Sequence, residues 1–254
     1  MVRYALAIEY DGSQFCGWQR QRHCRSVQEV VETALSAVAA APVEVTCAGR
    51  TDTGVHAKAQ IVHFDTDTVR PDKAWIFGAN TLMKAPVSVH WVSAVAPDFH
   101  ARYDAIERRY RYIILNRKAR PALAAGRNAW VTQPLDAARM DQAGHYLLGE
   151  HDFSAFRAAG CQAKHARRCI HALSVYRRDD RVIVDIAANA FLHNMVRIIV
   201  GSLLRVGRGE AEPAWVGEVL QRRDRTQGGT TADAAGLFFL GALYPEERGI
   251  PNFC

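Results

Sequence analysis

Large and small apolar residues alternate through 4–8 of the segment 4–10 (Tyr-Ala-Leu-Ala-Ile-Glu-Tyr), and the run stops at Asp11-Gly12. Period-two alternation ended by a turn pair predicts a strand. Ser26-Val27-Gln28-Glu29 has the spacing of a capping box, so a helix opens at Ser26 with Val30, Leu35, Val38 and Ala39 on its apolar face. The segments 43–47 (Val-Glu-Val-Thr-Cys) and 59–64 (Ala-Gln-Ile-Val-His-Phe) predict two strands, and a helix over 72–82 and a strand over 87–95 follow. The first half therefore reads β-α-β-β-α-β.

The second half echoes it. A long strand is expected over 107–115 and a helix over 135–148, opened near Asp136. Two strands, 171–177 and 181–187, are joined by the turn Arg178-Asp179-Asp180. Two helices come next, 195–206 and 213–222, the latter with proline in its first turn, where the missing N–H costs nothing. A strand over 236–243 closes the chain. Strands and helices mixed with short hairpins predict an α+β fold of two related lobes, each a mainly antiparallel sheet flanked by helices. The boundary is expected around 97–104, giving an N-terminal lobe, 1–103, and a C-terminal lobe, 104–254.

At 254 residues with 49% hydrophobic content, the chain can fill a real core. No apolar run approaches the roughly 18 residues of a membrane span. Arg3 interrupts the first apolar stretch, which reads as a strand and not as a signal peptide. The six cysteines, Cys16, Cys24, Cys47, Cys161, Cys169 and Cys254, form no Cys-x-x-Cys pair. Scattered thiols of this kind predict a reduced, cytoplasmic protein with no zinc site. His145 and His151 form no His-Glu-x-x-His motif, and no Gly-rich phosphate loop is present. A protein without metal or cofactor is expected.

The net charge of +6 suits a polyanionic partner. Arg102, Arg108, Arg109, Arg111, Arg117, Lys118, Arg120 and Arg127 lie in one stretch, interleaved with Tyr103, Tyr110 and Tyr112. Arg157, Lys164, Arg167, Arg168, Arg177 and Arg178 form a second. Such patterning fits phosphate contacts with base stacking, and it also fits a solvated strand face.

Between the strands 43–47 and 59–64 sits Gly49-Arg50-Thr51-Asp52-Thr53-Gly54-Val55-His56-Ala57. A loop carboxylate on a rigid scaffold is a common way to build a reactive site. Arg50 falls on the same face as Asp52 in an extended segment and would favour its ionised form. Asp before Thr-Gly is equally a common turn residue, and spacing alone leaves both readings open.

The order of motifs resembles the tRNA pseudouridine synthase A family from end to end. Tyr10-Asp11-Gly12 with Phe15-Cys16-Gly17-Trp18-Gln19 is similar to its opening motif, and the nonapeptide around Asp52 to its catalytic one. Phe99-His100-Ala101-Arg102-Tyr103, Arg108-Arg109-Tyr110-Arg111-Tyr112 and Phe191-Leu192-His193-Asn194-Met195-Val196-Arg197 match later blocks. The resemblance implies the pseudouridine synthase fold with a central cleft. It implies an isomerase that converts uridine to pseudouridine at positions 38, 39 and 40 in the anticodon arm of tRNA. It also implies a homodimer that needs no metal or cofactor. Asp52 would be the nucleophile, with Arg50 acting on the flipped nucleotide or the gap it leaves.

Arg197 follows an apolar stretch, where a charge needs a partner, and would pair with Asp52. Tyr110 would stack on the uracil. Tyr112 faces the same way by period two, and only the resemblance chooses between them. Phe99, His100, Ala101, Arg102 and Tyr103, with Gly160, Cys161, Gln162, Ala163 and Lys164, would line the tRNA path. Gln227-Gly228-Gly229-Thr230-Thr231 departs from the Pro-Thr segment frequent in the family, and its two glycines predict a loose loop. The rival readings are a non-catalytic RNA-binding module, an acid–base hydrolase for which no second carboxylate has convincing spacing, and a related synthase acting on another RNA.

Overall fold

Strand β1 (Val2–Tyr10) is buried at every position from Tyr4 to Ile8, so the alternation in its sequence conceals a strand covered on both faces. In the computed structural model, which describes all residues 1–254, β1 pairs antiparallel with β3 (His56–Thr66) and with β4 (Val87–Val95). The chain divides into two compact units, Met1–Arg108 with Phe238–Cys254, and Arg109–Leu237.

In the first unit the sheet order is β4-β1-β3-β10, where β10 is Leu237–Leu243, and the two-residue β2 (Thr46–Cys47) also pairs with β3. β10 runs parallel to β3, with Phe238 opposite His56. A division at 103/104 would assign β10 to the other unit. Its register with β3 is the reason the contacts group it here instead. The strand expected over 43–47 is reduced to Thr46–Cys47.

Helix α1 (Val27–Ala39) is capped by Ser26, whose hydroxyl accepts from the Glu29 N–H. Its buried stripe is Val27, Val31, Ala34, Leu35 and Ala39; Val30 and Val38 are only half-buried. Val38 packs where Gly78 of α2 (Asp72–Leu82) leaves room. Trp75 of α2 reaches the sheet and meets the rings of Tyr4 and Phe64. Ala5 and His63, a register pair, lie on the opposite face from the pair Tyr4 and Phe64. His63 makes ring contact with Phe99, and Phe99 with Tyr244, so the segment after β4 and the chain after β10 cover that side.

The second unit has the order β5-β9-β8-β7, from β5 (Glu107–Asn116), β9 (Arg181–Ala188), β8 (Arg167–Arg178) and β7 (Gly149–Asp152). β6 (Ala129–Val131) pairs parallel with β5. Helix α3 (Ala137–His145) is capped by the Asp136 carboxylate and ends three residues before the expected Leu148. Gly144 sets it directly against Leu173 of β8, where a Cβ would come within 2.3 Å of the Leu173 side chain. Helix α4 (Met195–Gly207) buries Ile198, Ile199, Leu203 and Val206 completely. Helix α5 (Ala214–Arg222) follows Pro213.

Gly229 is buried, donates its N–H to the Ser202 hydroxyl, and would place a Cβ 2.4 Å from the Ser202 nitrogen. Gly201 on the helix side would place a Cβ 1.7 Å from the Thr230 carbonyl oxygen. The 227–231 loop is therefore not loose. Its glycine is the consequence of close backbone approach to α4.

Candidate active site

The nonapeptide folds as a pinned turn. Val55 donates its N–H to the Asp52 carbonyl over 3.1 Å, with Gly54 at φ +79° as the third turn residue, a conformation that suits glycine. Thr51 is buried, while Arg50 is exposed and Asp52 half-buried. The Asp52 backbone closes the turn, and its side chain stands at the edge of the solvent.

The turn is fixed from several sides. Tyr10 and Thr51 share a hydrogen bond of 2.7 Å between buried hydroxyls, and burial raises the Tyr10 pKa. Trp18 donates its N–H to the Thr51 carbonyl over 3.0 Å. Gln60 grips both sides of Gly49, accepting from its N–H and donating to its carbonyl. Gly12 donates its N–H to His56 Nδ1 over 3.1 Å, and His56 stacks on Phe238. The opening motif thus has a physical task. Gly12 lies where a Cβ would come within 2.0 Å of the Val55 oxygen, and Gly17, at φ +92°, within 2.7 Å of the Thr51 oxygen. Beside the loop, burial pushes the Cys47 thiol up to about 12 against the pull of Arg50 and Arg102.

The 99–103 block is held even more completely. Phe99 donates its N–H to the Ala96 carbonyl, and Arg3 donates from Nη1 to the Phe99 oxygen while gripping Asp65 with its other nitrogens. The His100 N–H reaches the Asp104 carboxylate. The Ala101 N–H reaches His63 Nδ1, and the Ala101 oxygen accepts from the Tyr244 hydroxyl. Arg102 and Tyr103 both donate their N–H groups to His100 Nδ1. The result is an exposed Tyr103, 76% accessible, its ring tilted against His100 with ring centres 4.2 Å apart and flanked by the Arg102 guanidinium. Arg108 donates to the carbonyls of Ala105, Arg102 and Ala48, tying this block to the residue before Gly49.

Burial, reinforced by His100 and Arg3, lowers His63 to about 4 from an ordinary 6.5. Its Nδ1 must stay unprotonated to accept from Ala101. The folded pKa lies below the unfolded one, so the unfolded chain binds more protons in that window. Stability is therefore present above pH 6.5 and is lost as pH falls from 6.5 towards about 4. His63→Gln is expected to lose less melting temperature than the wild type between pH 7 and roughly pH 4.5. Calorimetry at the two pH values checks this, and equal losses would exclude His63 as a contributor.

In the second unit the two tyrosines of β5 separate. Tyr112 is fully buried and donates its hydroxyl to the Asp233 carbonyl over 2.7 Å, a structural position. Tyr110 packs edge-to-face with Phe191 at 5.1 Å between ring centres. Arg197 is half-buried, and donates from Nε to the Ala232 oxygen over 2.7 Å and from Nη1 to Asn194 Oδ1 over 2.9 Å. The 160–164 segment turns at Gly160, with φ +77°, and Arg157 donates to the carbonyls of Cys161 and Ala163. Burial opposes ionisation of Cys161. N–H donation from His193 and Ala163, together with Arg157, outweighs it and lowers the thiol pKa.

Much of the sequence's basic charge is structural: Arg111 forks onto Asp185, and Arg177 caps Asn116 and Leu135. Lys118, Arg120 and Lys164 remain exposed. The reduced-thiol expectation fails at one place, because Cys16 and Cys24 are joined in a disulfide. Eight residues of separation hide a turn that brings the two together, with the Cys16 N–H donating to the Arg25 carbonyl. No three His, Cys, Asp or Glu side chains converge as a set of metal ligands.

An α+β sheet scaffold that presents a pinned carboxylate, tied through Arg108 to a rigid basic-aromatic block, has the features expected of an enzyme that acts on RNA. The sequence profile of the family described as "tRNA pseudouridine synthase" matches residues 6–104 and 143–245, and the chain belongs to that family, isomerases acting on tRNA. The curated "tRNA pseudouridine synthase A" of Hydrogenovibrio crunogenus is 55% identical over 252 residues, 99% of this chain and 96% of that protein. Its counterpart in Methylococcus capsulatus is 54% identical, over 98% of this chain and 92% of that protein. Among solved structures, a Cbf5-Nop10-Gar1 complex aligns with a TM-score of 0.41 at 10% identity, over 93% of this chain and 49% of that one, too remote to carry an argument.

Proposed function

We propose that this protein isomerises uridine to pseudouridine at positions 38, 39 and 40 of the tRNA anticodon arm, with Asp52 as nucleophile. The observation that carries this reading is the half-buried Asp52 on a turn fixed by Tyr10, Trp18 and Gln60. The bond from ribose C1′ to uracil N1 breaks, the base turns, and C1′ joins C5. The uridine must leave its stack for this chemistry. A carboxylate nucleophile divides one hard step into two easier ones.

Exposed Arg50 contacts the phosphate of the flipped nucleotide or fills the gap it leaves. Tyr110 stacks on the uracil and takes the proton from C5. The 99–103 and 160–164 segments guide the tRNA, which a cytoplasmic homodimer holds through both subunits. Arg197 keeps Asp52 ionised. Arg197→Ala should therefore move the acid limb of kcat/KM to higher pH, because an uncompensated carboxylate is protonated more readily. An unmoved limb would reject that role.

The reading is tested by mapping pseudouridine in tRNA from cells lacking the protein. Uridine is expected at 38, 39 and 40, restored to pseudouridine by the wild-type gene. Full modification at those positions in the deletion strain would overturn it.

A further inference from the structure

Residues 19–25, Gln-Arg-Gln-Arg-His-Cys-Arg, belong to none of the segments assigned above to tRNA. Arg20, Gln21, Arg22, His23 and Arg25 are all exposed. Arg20 is pinned to the buried Glu32, 2.7 Å away, a carboxylate that also accepts from Gln28 and from the Val45 N–H. Arg25 lies over the Phe15 ring at 5.8 Å. The loop is anchored at its base: Gly17 accepts from the Val27 N–H, Trp18 from the Gln28 N–H, and Gln21 donates to the Cys16 carbonyl. That base is the Gly17-Trp18 pair that abuts Thr51. The Cys16–Cys24 bond closes the ring.

We propose that residues 19–25 form a phosphate-gripping arm for the RNA backbone beside the Asp52 turn, held in its binding shape by the Cys16–Cys24 bond. The proposal rests on the reading that this protein acts on RNA. Arg22, His23 and Arg25 supply the charge, because Arg20 is spent on Glu32. A polyanion is the complement of such a surface, and a loop already ordered loses less freedom when it binds. A dithiol reductant opens the arm. Two electrons and two protons convert the S–S bond into two thiols, and the dithiol leaves as its own disulfide. Intracellular disulfides of this kind are typically transient and redox-sensing.

The test is steady-state turnover of an anticodon-arm tRNA, with tRNA concentration and salt both varied. For Arg22→Ala/Arg25→Ala, KM should rise roughly tenfold, and the slope of log affinity against log salt should flatten by about two. Dithiothreitol should raise the wild-type KM in the same direction, with kcat little changed, and oxidised glutathione should reverse it. Cys16→Ser/Cys24→Ser should match the reduced wild type and ignore both reagents. A wild-type KM in the arginine variant, or a KM indifferent to dithiothreitol, overturns the proposal. Failure of the underlying reading looks different: the wild type itself would then turn over no tRNA.

Discussion

Asp52→Asn is expected to abolish pseudouridine formation and leave tRNA binding in place. Asparagine fits the same space and starts a turn as readily as aspartate, so the bond from Val55 N–H to the residue 52 carbonyl survives. The pins on Tyr10, Thr51, Gln60 and Gly49 do not involve the carboxylate either. What is lost is the nucleophile. Removing a group that forms the covalent intermediate costs at least on the order of 10⁴ in rate, about 5.5 kcal/mol of transition-state stabilisation. Release of tritium from tRNA carrying 5-labelled uridine measures the rate, and filter binding measures affinity. A non-catalytic RNA-binding module would show no rate to lose. An Asp52→Asn protein that keeps a tenth of the wild-type rate would remove Asp52 from the chemistry.

Gly12→Ala should give the second large effect, through the backbone of the Asp52 turn and not through a contact of its own with substrate. Its Cβ would fall 2.0 Å from the Val55 oxygen and 2.5 Å from the Val55 carbonyl carbon. Both are backbone atoms at the end of the turn that carries Asp52, so no side-chain rotation relieves the clash. Either β1 and the following turn retreat, or the Asp52–Val55 turn does. We expect a loss of stability of about 1–3 kcal/mol, as for overpacked cores, with kcat reduced at least tenfold even in the folded fraction. Gly49→Ala separates this from a general intolerance of the motif. A Cβ there meets nothing within 4 Å, so that variant should melt like the wild type. Denaturant melts beside single-turnover rates check both, and a Gly12→Ala protein with normal kcat would show that the turn adapts.

Local signals served where local chemistry decides. Pro71 and Pro86 bracket helix α2 and the start of β4, and the expected ranges 72–82 and 87–95 coincide with the observed elements. Ser26 and Asp136 mark helix starts because their side chains accept N–H bonds within the next turn. The polar Gly-Glu-His-Asp of β7 gives no periodic signal, since one neighbour, β8, suffices for an edge strand. Placing β10 beside β3 needs a parallel register between residues far apart in sequence. Gly229 looked like freedom because its tight partners, Gly201 and Ser202, come from a distant helix. Arg108 and Arg111 looked like phosphate ligands, and the Ala48 carbonyl and the Asp185 carboxylate that hold them are equally remote. At the site, Asp52 was legible as a turn carboxylate, whereas the pins from Tyr10, Gln60 and Trp18 were not.

In the 99–104 stretch each N–H is donated: to Ala96, the Asp104 carboxylate, His63, His100 twice, and the His100 carbonyl. The Ala101 amide, buried against His63 of β3, opens to solvent only when the surrounding sheet does, and it should exchange with heavy water as slowly as the amides of β1, although Tyr103 two residues on stands exposed at the surface. RNA would thus meet a surface whose shape is decided before contact. Damage to its supports should appear as faster departure of bound RNA, with the rate of encounter little altered.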